Sequence, residues 1–489
     1  MASLRSLSGG SPAKLMSSPH NPTTGTREAE APLTVDALVA YFRSGAKDHG
    51  RFKIGIEQEK IGVRDDGRAV PYEGVGGLAE LLGDLEGRGF RATREDGHVI
   101  ALAREGDRIT MEPGGQLELS GGALATASTC AAALDAHVRE VAEAAGPLGI
   151  RFIGTGIRPF GTLEEVTWLP KRRYVVMRDY FPRHGRDSLL AHQMMKLTAT
   201  VQANFDYASE ADAADKIRTA YGITSIVTAL YAASPIAFGR PTGHKSYRAA
   251  IWLETDADRC GLLPFVFQPD FCFRDYVAWA LDVPMFFVVR DGVYHPADKL
   301  TFGRFMAEGW HGQQATIADW EVHLSTLFPE VRLKRYVEVR GADAGPMPMA
   351  RALGALWRGI LEDPEARAAA WALVADHPFE EREALRRAVP TAGLAARFGK
   401  RSVRELAVEL CRMAAAGLQR LPGGAADAQL LEAPRAYAAA GRSPADDFLD
   451  DFEALGGDPA GLVRRWELRP GPGPEASPSP SAPAAASGP

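Results

Sequence analysis

The sequence predicts an α+β protein organised round one sheet with a polar face, and three observations predict it. The run LTATVQANFD at 197–206 alternates polar and apolar residues without a break. Successive strand side chains point to opposite faces, so Thr198, Thr200, Gln202, Asn204 and Asp206 share one face, with Leu197, Ala199, Val201, Ala203 and Phe205 on the other. Three further segments repeat the design with glutamates on the polar face: IGIEQEK at 54–60, ITMEPGGQLEL at 109–119 and RLKRYVEVR at 332–340. Beyond Asp343 strand patterning gives way to helical periodicity, with starts at Asp363-Pro364, at Pro378 and at the capping box SVRE of 402–405.

In chain order, residues 1–31 form a serine-rich leader that cannot bury enough to fold, and are read as disordered rather than as a targeting sequence. Thr34 caps a short amphipathic helix (Val35, Leu38, Val39, Phe42) that stops at Gly45. The α+β domain occupies 32–343, with strand-like segments alternating with helices such as the Ala-rich stretch 127–145 and the run after Ser209. The apolar run 222–235 is interrupted by hydroxyls and Pro235, which fits a buried helix better than a membrane span. A helical region at 344–468 packs on the sheet domain, and 469–489 is a disordered Pro/Ala/Ser tail.

With 489 residues, 46% of them apolar, the chain has ample material for a core. A formal charge of -6 and a pI near 6.1 argue against nucleic acid as partner, since such binders show a basic excess. Small molecules fit better. The four cysteines (Cys130, Cys260, Cys272, Cys411) lack Cys-x-x-Cys spacing, so a reducing cytoplasm is the expected compartment. Cys411 shares an apolar helical face with Leu406, Leu410 and Met413 and reads as a core thiol.

Glu57 and Glu59, two apart on a strand, stand roughly 6.5 Å apart on one face. Two anions at that distance repel by about 2.5 kcal/mol at an effective dielectric of 20, and Glu112, Glu118 and Glu338 multiply the effect. A cation must offset it. Oxygen ligands without matching His or Cys suit Mg²⁺ or Mn²⁺, which commonly accompany nucleotide phosphates. Solvated outer-face glutamates are the alternative, which recurrence on four segments weighs against. Arg340 shares a face with Glu338, Tyr336, Lys334 and Arg332 and places cations where phosphate charge could develop. Tyr247 and Arg248, after a Gly/Pro loop, could grip a carboxylate. The run KRRYVVMRDY at 171–180 is either a basic helix surface or a substrate wall, with Tyr174, Met177 and Arg178 about one turn apart. GRPTGHKS at 239–246 is one residue short of a phosphate-binding P-loop, and Gly154-Thr-Gly156 lacks the third glycine of a dinucleotide fingerprint.

On these residues the chain resembles the glutamate–cysteine ligases of the plant and proteobacterial type. The matching stretches are IGIEQEKIGV (54–63), ITMEPGGQLELSG (109–121), PKRRYVVMRDYFP (170–182), TATVQANFDY (198–207), SYRAAIWLETDADR (246–259), ALDVPMFFVVR (280–290) and FPEVRLKRYVEVRGAD (328–343). The resemblance spans about 34–460. It implies an antiparallel sheet bowl of the glutamine synthetase and guanidino kinase type, covered by helices. It also implies ATP-dependent ligation of the glutamate γ-carboxylate to the cysteine amine through a γ-glutamyl phosphate, as either a monomer or a homodimer. Carried over by motif, Glu57, Glu59, Glu112, Glu118 and Glu338 are implied metal ligands for Mg²⁺. Glu57, Glu338 and Arg340 are implied catalytic groups. Arg178, Gln202, Asn204, Tyr247 and Arg248 are implied substrate contacts, with Lys334 and Arg340 on the nucleotide. On this reading Glu338→Gln folds normally and loses turnover. Plant members carry a regulatory cysteine pair in the region matching 294–313; this chain has none there, so no such disulfide switch is expected. A ligase with another amine acceptor, a guanidino-kinase-like phosphotransferase and a silent ligand-binding relative are the competing readings.

Overall fold

A computed structural model describes residues 32–183 and 188–471. The expected segments meet in one nine-stranded antiparallel sheet. Its strands are β1 (Ile54–Val63), β2 (Arg91–Glu95), β3 (His98–Arg104), β4 (Asp107–Met111), β5 (Leu117–Ser120), β6 (Arg151–Ile153), β7 (Val201–Phe205), β8 (Val331–Leu333) and β9 (Val337–Val339). They lie in the order β8-β9-β7-β1-β5-β4-β3-β2, with β6 paired to the far end of β1. All four glutamate- or amide-bearing segments therefore supply neighbouring strands, running from β8 at one edge of the sheet to β4.

Two of those segments are shorter strands than their alternation suggests. Leu197 closes a helix, Thr198 donates back to the Met194 carbonyl at 2.6 Å, and regular pairing begins only at Val201. Thr198 and Thr200 make single bridges to Ile157 and Asp343. The 332–340 segment is a hairpin: β8 turns through Lys334, Arg335 and Tyr336 into β9, so Arg332 faces Glu338 across the pair. Alternation is preserved through the turn, which is why it reads as one strand.

The helices before the C-terminal region are placed by ordinary signals. Thr34 accepts from the Ala37 amide and caps α1 (Val35–Arg43), which buries Leu38, Val39 and Phe42. α2 (Leu78–Gly87) buries four leucines. α3 (Ala127–Ala145), started by a Thr126–Thr129 capping box, lies behind β1. α4 (Arg172–Arg183) and α5 (Ser188–Leu197) lead into β7. α6 (Glu210–Leu230) is buried along nearly its whole length, as its hydroxyl-broken apolar run suggests, and α7 (Tyr247–Leu253) is capped by Ser246.

Behind the sheet, α3 and the Met347–Leu361 helix cover the face opposite the glutamates. The latter approaches so closely that a Cβ on Gly354 would come within 2.9 Å of Ile56 Cδ1. The Val403–Arg420 helix backs it in turn, and one continuous apolar core runs from Leu38 to Leu468. Truncating a fully buried member such as Leu353 to alanine costs about 2–5 kcal/mol. The region after Asp343 is helical apart from a small hairpin, Arg397–Phe398 with Arg401–Ser402, which the helical reading passed over. The chain stays ordered slightly beyond the expected boundary at 468, since the Gly471 amide donates to Asp135 on α3 at 2.9 Å. The 1–31 leader and almost all of the expected tail lie outside the described residues. All four cysteines are free, with Cys130 and Cys411 in the core. No helix among the described residues is long and apolar enough to cross a membrane.

Candidate active site

Sheet register lays out the site as a grid. Glu59 of β1 stands opposite Glu118 of β5; Glu57 stands between Ser120 of β5 and Gln202 of β7; Asn204 of β7 stands opposite Glu338 of β9. Glu112 joins from the β4–β5 turn, where its amide bonds the Gln116 carbonyl. These side chains floor or underlie a cleft of about 1130 Å³, open solvent included. Its walls are Lys171 just before α4, Arg173, Tyr174 and Met177 of α4, Met194 and Met195 of α5, Arg248 and Trp252 of α7, and the Arg332, Lys334 and Arg340 cations of the β8–β9 hairpin. Behind Arg248 and Trp252 a second hollow of about 550 Å³ shares those two residues, Phe328 and Arg340 with the cleft.

The floor holds excess negative charge. Burial, followed by the charges of Glu338 and Glu118, pushes the Glu57 carboxyl up to about 7. Burial, then Glu112, pushes Glu118 to about 7, and burial with Glu112 and Glu118 holds Glu59 well above the usual carboxylate range. The hydrogen bonds present do not cancel this: Asn204 Nδ2 donates to Glu57 Oε1 at 2.9 Å, Thr200 N to Glu59 Oε2 at 2.9 Å and Thr110 Oγ1 to Glu118 Oε2 at 2.5 Å. Burial also lowers the flanking ammonium groups of Lys171 and Lys334 to about 8.

Glu338 differs from the other four glutamates. Arg332 clamps both its oxygens at 2.7 Å through Nε and Nη2, Arg340 Nη1 reaches Oε1 at 2.5 Å, and Lys334 stands 3.6 Å away. Burial alone would raise this carboxyl, yet Arg332, Lys334 and Arg340 hold it far below the carboxylate range. The expected fifth metal ligand, Glu338, is thus a carboxylate whose oxygens already meet three cations. Glu338 is the counter-ion of a cationic cluster, because the turn brings Arg332 onto it. No three His, Cys, Asp or Glu side chains among the described residues already surround a point that could hold a metal.

Of the residues singled out by sequence, Glu57, Glu59, Glu112, Glu118, Gln202, Arg248, Lys334 and Arg340 line one cleft. Asn204 and Glu338 lie just beneath it, buried. Arg178 and Tyr247 do not line it: Arg178 pairs with Asp179 at 2.8 Å, and Tyr247 donates to Gln193 at 3.1 Å. The 171–180 run supplies a wall through Tyr174 and Met177, two of the three residues named for it, and also through Lys171 and Arg173, on either side of the surface-facing Arg172. Helix phase was the available signal, since Tyr174 and Met177 are the buried positions and Arg173 adjoins the first. Trp252 and the two methionines of α5 were passed over, while Arg332, placed by sequence on the cationic face, does line the cleft. The P-loop-like 239–246 segment carries the return strand of a small hairpin, Ile236–Ala237 with Arg240–Pro241, and ends at the Ser246 cap, its Lys245 paired with Asp446 at 2.7 Å.

Comparison with known proteins bears on this cleft. The family model for glutamate-cysteine ligase family 2 matches residues 53–465. The chain is 40% identical over 436 residues to the chloroplastic glutamate–cysteine ligase of Brassica juncea, covering 88% of this chain and 83% of that protein. It is 42% identical over 404 residues to the Nicotiana tabacum protein of the same name, covering 82% and 76%. Among solved structures, the glutamate–cysteine ligase of Francisella tularensis in complex with AMP superposes with a TM-score of 0.54 at 13% identity, covering 85% of this chain and 88% of that one. That likeness is one of fold. The relatives are designated chloroplastic, which overturns the cytoplasmic placement expected from cysteine content. Sparse, unpaired cysteines mark a reducing compartment and do not distinguish the cytosol from another one.

Proposed function

We propose that this chain, which belongs to glutamate–cysteine ligase family 2, joins the γ-carboxylate of glutamate to the amine of cysteine at the expense of ATP, giving γ-glutamylcysteine, ADP and phosphate. The observation that carries the reading is a floor of four mutually repelling carboxylates between two cationic walls in one cleft.

The residues fit a hard divalent cation. The donor set is oxygen only, and burial with mutual repulsion raises the Glu57, Glu59 and Glu118 carboxyls despite the nearby Lys334, Arg248 and Lys171 cations. Glu57, Glu59, Glu112 and Glu118 would hold Mg²⁺, which when bound supplies charge neutralisation for the triphosphate.

The chain's own groups do the rest. Lys334 and Arg340, with Arg332 behind them, face the phosphoryl group as a carboxylate oxygen of glutamate attacks the γ-phosphorus and the bond to ADP breaks. Glu338 fixes that cluster and Gln202 accepts from Arg340 at 2.6 Å, so the guanidinium meets the reaction in a set orientation. Arg248 and Arg173, on opposite walls, receive substrate carboxylates. The neutral amine then attacks the acyl carbon, phosphate leaves, and the surplus proton passes to a cleft carboxylate or to water. The thioethers of Met177, Met194 and Met195 offer a soft wall for a thiol-bearing acceptor.

The test is ADP release with Mg-ATP and glutamate across a panel of amine acceptors, with products read by mass spectrometry. A γ-linked dipeptide formed with cysteine supports the reading. A phosphorylated guanidine, or nucleotide binding without turnover, replaces it.

A further inference from the structure

The β9–Met347 connection buries a carboxylate that the reaction chemistry does not use. Asp343 is 1% exposed. Its Oδ2 accepts from the Ala233 amide at 2.9 Å and from Ser234 Oγ at 2.6 Å. Its Oδ1 accepts from Ser246 Oγ at 2.9 Å and stands 3.5 Å from Arg248 Nη1. The backbone closes on it from the other side: a Cβ on Gly156 would lie 2.6 Å from Asp343 Cβ, and Asp343 bridges to Thr200 at the head of β7. Four segments distant in sequence thus fix one carboxylate, a cost in desolvation that only a satisfied network recovers.

Among the described residues the cation on that carboxylate is Arg248, whose side chain is 7% exposed and lines the cleft. A second amino group, Nη2, donates to the Arg340 carbonyl at 3.1 Å, and the Arg248 amide donates to Ser234 Oγ at 3.1 Å. Ser246 accepts from the Ala249 amide at 3.0 Å as the cap of α7, so the same group that anchors Asp343 also starts the helix that carries Arg248. Guanidinium and helix are referenced to one point.

We propose that Asp343 is a positioning residue: it holds Arg248 in a single setting from behind, so that the rest of the guanidinium fork meets a substrate carboxylate without reorganising. This rests on the reading that Arg248 receives the carboxylate of glutamate. A guanidinium freed from one anchor samples several rotamers, and a displacement of about 1 Å can cost up to 100-fold in a positioned reaction.

The test uses the full chain. Asp343→Asn is expected to raise the KM for glutamate about tenfold or more while leaving the KM for ATP within about twofold. Ser234→Ala keeps the charge but removes the shortest anchor, and is expected to raise glutamate KM by about threefold, which covers the case in which Asp343→Asn does not fold. Arg248→Ala should regain activity with added guanidinium when Asp343 is present and not in the Asp343→Asn, Arg248→Ala double variant. Unchanged glutamate KM in Ser234→Ala, and in Asp343→Asn where it folds, or equal rescue in single and double variants, overturns the positioning role. Unchanged glutamate KM in Arg248→Ala instead removes the parent reading, and is told apart because it needs no change at Asp343.

Discussion

Glu59 and Glu118 face each other on one rung of the β1–β5 ladder, two carboxylates where a stable sheet would place opposite charges. Removing either charge should stabilise the ligand-free protein and abolish turnover together. Glu118→Gln is expected to gain on the order of 1–2 kcal/mol by denaturant melt and to lose at least about 100-fold in ADP formation. A variant that is less stable and fully active would deny the strain any role.

The same strain sets a pH dependence. Glu57 and Glu118 titrate near 7 in the folded state and at an ordinary 4.5 when unfolded. The folded state therefore holds protons that the unfolded state has released. Its advantage is full below pH 4.5 and is lost as pH rises through 7, on the order of 3 kcal/mol for Glu57. Melts in chelator should show stability falling between about pH 5 and 8, and added Mg²⁺ should flatten the decline. Lys60, lowered to about 7 by burial, acts in a different window: its penalty is full below 7 and fades as pH rises toward 10.5.

Glu338→Gln bears differently on folding than its sequence suggests. Leaving Arg332, Arg340 and Lys334 buried without their shared anion should cost about 3–5 kcal/mol, visible as a lowered melting temperature as well as lost turnover. A variant as stable as the wild type would mean that the cluster is solvated.

On α4 the arginines should separate cleanly. Arg173→Ala, in the cleft wall, is expected to lower kcat/KM by at least about tenfold, whereas Arg178→Ala, paired outside it, should stay within about twofold. Steady-state kinetics on the two purified variants decides it; the reverse order would restore Arg178 as the substrate contact.

Much of the site was legible because a two-residue period is a geometric statement: Glu57 with Glu59, and Thr200 with Gln202 and Asn204, must share faces once their segments pair. What pairing cannot reveal is a turn that preserves the alternation. Nothing in Lys334-Arg335-Tyr336 announces a reversal, so the cross-strand clamp of Arg332 on Glu338 was hidden. Helix phase misled in a similar way at Arg178, where spacing from Tyr174 was counted but the buried stripe ran beside Arg173. The Asp343 network lay beyond any local pattern, since its partners Ser234 and Ser246 come from about a hundred residues earlier.

The central claim, that this cleft activates the glutamate γ-carboxylate as an acyl phosphate, is tested most directly by isotope transfer. With γ-carboxylate-¹⁸O-labelled glutamate, Mg-ATP and cysteine, the account predicts one ¹⁸O in each phosphate released, measured by mass spectrometry. Phosphate free of label, with dipeptide still forming, would contradict it.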